Sequence, residues 1–176
     1  MKSLSYQISF ERPEQAFITR SMTAKVLAVF SLLFMWQAGL TQSKYVKKFR
    51  PMADSLSAVY GVPASVILGV AIMESGSGTS RNCKLLNNHF GIVGKNNLLK
   101  TKGIKSRYKQ YPDAQTSYVD FCKLMTRKKF YTRLKGNMDH RLWADAISKA
   151  GYSEIPDIWK QRLLDIIRKN KLSSLQ

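Results

Sequence analysis

Between Asp54 and Asp113 the chain holds a single carboxylate, Glu74. It ends the stretch PASVILGVAIME (63–74), which is apolar nearly all round when read as a helix and therefore belongs in the middle of a domain. Burial takes away the water that stabilises a carboxylate, and the negative end of a helix dipole opposes its charge. Both effects raise the pKa of Glu74, which is what a general acid working near neutral pH requires. The segment SGSG (75–78) follows, and Gly76 and Gly78 leave room beside the acid for a large molecule to approach. On position alone, a helix-end Glu pointing at solvent or paired with a cation is the plain alternative.

Two other groups of residues have suitable chemistry. In Asn88-His89-Phe90-Gly91-Ile92, the Asn could hydrogen-bond a sugar amide and the Gly permits close backbone approach to a ligand. A structural turn with Phe90 in the core fits those residues equally well. In Ala150-Gly151-Tyr152 the tyrosine, at a helix end, could stack on a sugar ring or hydrogen-bond an acetamido group, or simply pack. His89 has no nucleophile and carboxylate arranged around it and reads as a satisfied polar residue.

The elements that must position these groups are mostly helical. Val46, Phe49, Met52, Ala53, Leu56 and Val59 recur near a 3.6 period over 44–60, and Gly61 ends that helix. Pro63 then suits the first residue of the next. Residues 79–112 are irregular and rich in Asn and Gly, with a short hairpin expected to end in RYKQY (107–111). A helix over 114–126 buries Tyr118, Phe121, Cys122 and Met125. Asp139 can cap a helix running to Ala150, and Pro156 opens the last one, with Ile158, Trp159, Leu163, Ile166 and Ile167 facing inward. The reading is a mainly α domain over 43–176 with a small β element.

Upstream, residues 1–42 form a separate segment whose apolar part is 24–40. Its uncharged centre, Val26 to Trp36, is eleven residues, short of the roughly 20 needed to span a bilayer. It fits a signal peptide or membrane anchor. With 29 Lys+Arg against 11 Asp+Glu the formal charge is +18, which favours polyanionic partners: nucleic acid, anionic membrane or acidic envelope polymers. Cys83 and Cys122, with His89 and His140, could in principle supply four metal ligands, but no CxxC or HxxxH spacing supports a site. No metal or cofactor is expected. The cysteines read as small buried hydrophobes, or as one disulfide if the domain is exported.

In order, ESGSG (74–78), NNHFGI (87–92), YKQYPDAQTSYVDF (108–121) and AGYSEIP (150–156) resemble the glucosaminidase family of peptidoglycan hydrolases. This is glycoside hydrolase family 73, which includes the flagellar peptidoglycan hydrolase domain. The resemblance covers roughly 50–170. It implies an α+β lysozyme-like fold: a helical core with a small β-hairpin lobe over a substrate groove. It implies endo-β-N-acetylglucosaminidase activity, hydrolysing the β-1,4 bond after N-acetylglucosamine in cell-wall glycan strands, and no cofactor. Residue by residue, Glu74 matches the family's catalytic acid and Tyr152 the tyrosine facing the catalytic site. Asn88, Phe90 and Gly91 match the turn beside the groove, where substrate binds, and Ser117 and Asp120 match structural positions. Many members carry a second acid in the β lobe, whereas 79–112 has no Asp or Glu. Either the substrate's acetamido group or water unaided by a carboxylate base then attacks. IPDIW (155–159) also departs from the family's D-P-x-Y pattern.

The resemblance implies peptidoglycan strands as partner, with anionic envelope polymers or a membrane surface beside them and no nucleic acid. It also implies an exported or membrane-anchored protein of a bacterial or phage envelope, periplasmic or extracellular. Two alternatives stand against it. A lytic transglycosylase also works with one Glu. A non-catalytic basic module binding wall or nucleic acid would use KSRYK (105–109) and RKK (127–129).

Overall fold

The computed structural model describes residues 44–174. The first helix, α1 (44–60), turns Tyr45, Phe49, Ala53 and Leu56 inward on one stripe. Val59, expected on that stripe, is instead 69% exposed, because the stripe runs on from Leu56 to Tyr60, which packs against the core, and Val59 lies one helical step off it. Helix α2 (Ala64–Ser75) is the centre of the fold, with every residue from Ala64 to Ile72 buried. Pro63 sits one position before its first turn, where its missing N–H costs nothing.

Helix α8 (Pro156–Lys169) closes over α2 and buries Trp159, Leu163 and Ile167, spaced four residues apart. Ile158, expected to face inward, is 49% exposed, one helical step off that stripe. The two axes come close because Gly69 has no side chain. A Cβ there would stand 2.8 Å from Leu163 Cδ1 and 3.0 Å from Ile167 Cγ1. Helix α5 (Ala114–Thr126) is capped by Asp113, whose Oδ1 accepts from Thr116 N at 2.7 Å, and buries the Tyr118, Phe121, Cys122 and Met125 face that its periodicity indicated. Helices α6 (Tyr131–Leu134) and α7 (His140–Ile147) complete the wall, with Trp143 fully buried on α7. The helix expected to reach Ala150 stops at Ile147. A π turn, Ser148–Tyr152, follows, and Ala150 and Gly151 leave helical geometry within it.

The region 79–112 corrects the expected β hairpin. Among the described residues its only strand pairing is one isolated antiparallel bridge, Val93 with Tyr108. Short helices α3 (Arg81–Leu86) and α4 (Leu98–Lys102) flank it. Backbone bonds from Gly94 N to Arg107 O, Lys109 N to Ile92 O and Gln110 N to Lys95 O join the two sides, and side-chain amides add to them. Asn96 Nδ2 donates to the carbonyls of Ser106 and Tyr108, both at 2.9 Å. Asn88 Nδ2 donates to those of Ile92 at 2.9 Å and Lys109 at 2.8 Å. Asparagine competes locally for backbone groups in this way, so an Asn-rich segment makes a pinned loop rather than strands. Lys109 and Tyr111 both donate to Asp120 Oδ2, at 2.7 Å each, and tie the lobe to α5.

Cys83 and Cys122 are both free thiols. The export or anchor segment expected at 24–40 lies outside the described residues. Among the described residues no helix is long and apolar enough to cross a membrane. Filling the α2–α8 contact by Gly69→Val should destabilise the domain by about 2 kcal/mol through overpacking, read as a lower urea midpoint with an unchanged slope.

Candidate active site

Glu74 occupies the last turn of α2, where Gly76 ends the helix in the left-handed conformation at φ 56° and its N–H returns to Ile72 O. Ser75 Oγ accepts from Gly78 N at 2.8 Å and fixes the SGSG turn beside the acid. The half-buried carboxyl is held from two sides. Trp159, in the first turn of α8, donates its indole N–H to Oε1 at 3.0 Å. Oε2 faces Gly91, where a Cβ would stand only 3.3 Å from it. Gly91 also takes φ +66°, so position 91 excludes a side chain both by backbone conformation and by proximity to the acid. Burial pushes the Glu74 pKa up, and the hydrogen bond from Trp159 partly opposes that rise.

The acid opens into a cleft of about 440 Å³ that Phe90, Gly91, Tyr108, Arg107, Lys128 and Tyr152 also line. Tyr152 packs at 5.3 Å from the Trp159 ring and donates its hydroxyl to Phe90 O at 2.8 Å. Its pKa is held well above the ordinary tyrosine value, chiefly by burial, with the Glu74 charge adding to the rise. It therefore remains a phenol whose proton is committed to the 88–92 turn and whose oxygen can still accept. The Phe90 ring stacks on Phe121 at 4.3 Å, so Phe90 faces the core with its ring and meets Tyr152 through its carbonyl.

Glu74, Phe90, Gly91 and Tyr152 thus meet around one cleft, and Asn88 stays behind it. Asn88 is 1% exposed, and its amide is spent on the backbone: Nδ2 on Ile92 O and Lys109 O, Oδ1 on Phe90 N and Ile92 N. It shapes the turn and has no amide group left to offer a sugar. His89 points to the other side of the turn, where Nδ1 meets Tyr45 OH at 2.6 Å and Cys83 Sγ lies 3.5 Å away. Burial, with nearby Lys48 adding, pulls its pKa down to about 4, so it is a neutral core residue. Ser117 and Asp120 are structural: Ser117 Oγ accepts from His89 N at 3.1 Å, and Asp120 anchors the lobe. Among the described residues lining the cleft, Glu74 is the one carboxylate.

The match to known proteins fits this geometry. The family model Glucosaminidase, described as mannosyl-glycoprotein endo-β-N-acetylglucosaminidase, covers residues 50–172. The chain belongs to this family. Among curated protein sequences none matches it significantly. Solved structures share the fold. The catalytic domain of the autolysin Auto from Listeria monocytogenes aligns with TM-score 0.64 at 20% identity, over 77% of this chain and 88% of that one. The glycoside hydrolase domain of FlgJ from Salmonella typhimurium aligns with TM-score 0.59 at 23% identity, over 76% and 90%. A peptidoglycan hydrolase from Sphingomonas sp. A1 gives TM-score 0.59 at 23% identity, over 76% and 92%.

For this glucosaminidase-family chain, sequence reasoning missed three residues of the site. Trp159 reads as one more inward position of α8, and periodicity cannot say that its N–H meets an acid 85 residues away. Arg107 and Lys128 sit in basic runs that ordinarily cover solvated faces, and only folding brings them to one cleft. The raised pKa of Glu74 also bears on stability. Protonation favours the folded state, so the stabilisation is complete below the ordinary carboxyl pKa and is lost as pH rises through the folded value. Glu74→Gln should therefore be more stable than wild type at pH 7, and the difference should shrink as pH falls through the raised folded value and be gone below about 4, followed by thermal melting across pH.

Proposed function

We propose that this protein is an endo-β-N-acetylglucosaminidase of the bacterial cell wall, with Glu74 as the proton donor to the scissile β-1,4 bond. The observation that carries the reading is the half-buried Glu74 carboxyl, clamped by Trp159 and opening past Gly91 into the cleft of a glucosaminidase-family domain. Proteins of the same fold that are described as an autolysin and a peptidoglycan hydrolase support peptidoglycan as the substrate.

In this mechanism Glu74 gives its proton to the glycosidic oxygen as the C1–O bond breaks. Among the described residues the cleft lining offers no second carboxylate to take the nucleophile's part, so the usual two-acid scheme lacks its partner there. The acetamido oxygen of the N-acetylglucosamine then bonds to C1, and the Tyr152 phenol oxygen accepts from the acetamido N–H to hold it in place. Water subsequently attacks C1 as the bond from C1 to the acetamido oxygen breaks, and the Glu74 carboxylate takes the water's proton, which restores the acid. The same lone acid also suits a lytic transglycosylase, in which the sugar's own hydroxyl attacks in place of water. The two products differ by the mass of one water.

The substrate lies outside the cytoplasm, and the apolar 24–40 segment is accordingly read as an export signal or anchor, with 43–176 as the catalytic domain. The +18 charge would hold the protein near anionic envelope polymers or a membrane surface.

Digestion of purified wall by wild type and Glu74→Gln, with fragments weighed by mass spectrometry, tests the reading. Wild type should release fragments with reducing-end N-acetylglucosamine, and Glu74→Gln should lose at least about a hundredfold in rate. Anhydro-sugar products would move the assignment to transglycosylase. Trp159→Phe removes a hydrogen bond that favours the ionised acid. Its alkaline activity limb should therefore shift to higher pH in kcat/KM profiles, because Glu74 keeps its proton longer.

A further inference from the structure

We infer that the cleft selects glycan strands whose sugars carry ionised carboxyl groups, and that Arg107 and Lys128 are the cations that receive them. The inference rests on reading Glu74 as a glycosidase acid in this cleft and adds what the neighbouring subsites recognise.

Arg107 comes from the loop carrying the 93–108 bridge, and Lys128 from the chain just beyond α5, yet both line the cleft that holds Glu74. Among the described residues neither cation has an ion-pair partner. The ion pairs among the described residues use Arg50, Lys109, Lys149, Lys160 and Arg168. The Arg107 guanidinium lies 5.5 Å from the Tyr108 ring centroid, a contact that orients it and leaves its N–H groups unspent. Lys128 Nζ donates one hydrogen bond, to Ala150 O at 3.3 Å, which holds it next to Gly151 and Tyr152.

The acids elsewhere do not answer this pair. Asp120 is taken by Lys109 and Tyr111, and Asp145 by Lys149 and Lys160. The lobe between 79 and 112 contains no carboxylate at all. Glu74 pairs with Trp159 rather than with either cation. Two unmatched cations in a cleft walled partly by Ile92, Val93 and Leu124 set up a focused positive field. A neutral N-acetylhexosamine chain has no use for it. An ionised lactyl carboxyl, which N-acetylmuramic acid carries only where its stem peptide has been removed, matches it, because the guanidinium fork meets carboxylate oxygens two at a time.

The test compares binding rather than turnover, using the full chain with Glu74→Gln so that the ligand survives. Two probes differ only in charge. One is a peptide-free hexasaccharide alternating N-acetylglucosamine with N-acetylmuramic acid, and the other is the same strand with its lactyl carboxyls converted to amides. At low salt the acid strand should bind about tenfold tighter than the amide strand, the yield of one or two charge-assisted hydrogen bonds in a partly enclosed site. Adding Arg107→Gln and Lys128→Gln should bring that ratio to within about twofold, whereas Arg107→Lys should keep most of it. A ratio near one in the Glu74→Gln parent would overturn the inference, as would a ratio that survives the double substitution in a protein of unchanged melting temperature. Because the readout is affinity, a wild type that cuts no wall would sink the hydrolase reading while leaving the charge preference measurable.

Discussion

The hydrogen bond from Trp159 to Glu74 is the constraint on which the site depends. It joins the end of the central helix α2 to the start of α8, 85 residues later in the chain. It can form only because α8 lies close against Gly69, and Leu163 and Ile167 use the space a side chain would take. The packing that makes the core therefore also aims the acid. An indole is well suited to the task, since it has one donor and no acceptor and brings a large apolar body that keeps water away. It orients the carboxyl while its ring contributes to the burial that raises the pKa.

The opposite wall is built on different physics. The loop from Asn88 to Tyr111 is held by a short run of backbone bonds between 92–95 and 107–110 together with side-chain amides and one phenol. Asn88 pins its own turn, Asn96 bridges two carbonyls, and Tyr152 reaches from the π turn to Phe90 O. This brings Gly91 against Glu74 with no side chain between them. A wall of this kind can gather cations, as it does with Arg107.

Electrostatics separate the two sides of the Asn88–Phe90 turn. On one side Glu74 is held towards its neutral form and faces an open cleft. On the other, His89 is kept neutral among Tyr45, Phe49 and Tyr118. Burial thus favours the neutral form of both groups. Each borders its own space: Glu74 the cleft of about 440 Å³, and His89, packed among aromatic rings, a second cleft of about 400 Å³ on the other side of the turn.

Much of this was legible in the amino-acid order. The isolation of Glu74 at the end of an apolar segment, the glycines after it, the Asp113 and Asp139 caps and the buried face of α5 all follow from local rules of burial, capping and period. Those rules act over a few residues, so they survive in the sequence. The β hairpin did not materialise, because alternation in RYKQY describes side-chain direction and says nothing about whether asparagine amides will capture the backbone first. Asn88 likewise reads as a ligand for a sugar until its partners at Ile92 and Lys109 are known. Sequence by itself determined which carboxyl would be hard to ionise. Tertiary structure alone decided what that carboxyl meets: Trp159 and Gly91 arrive from distant segments, as do Arg107 and Lys128 on the cleft wall, and contacts across such separations are set by how helices pack, which no local pattern encodes.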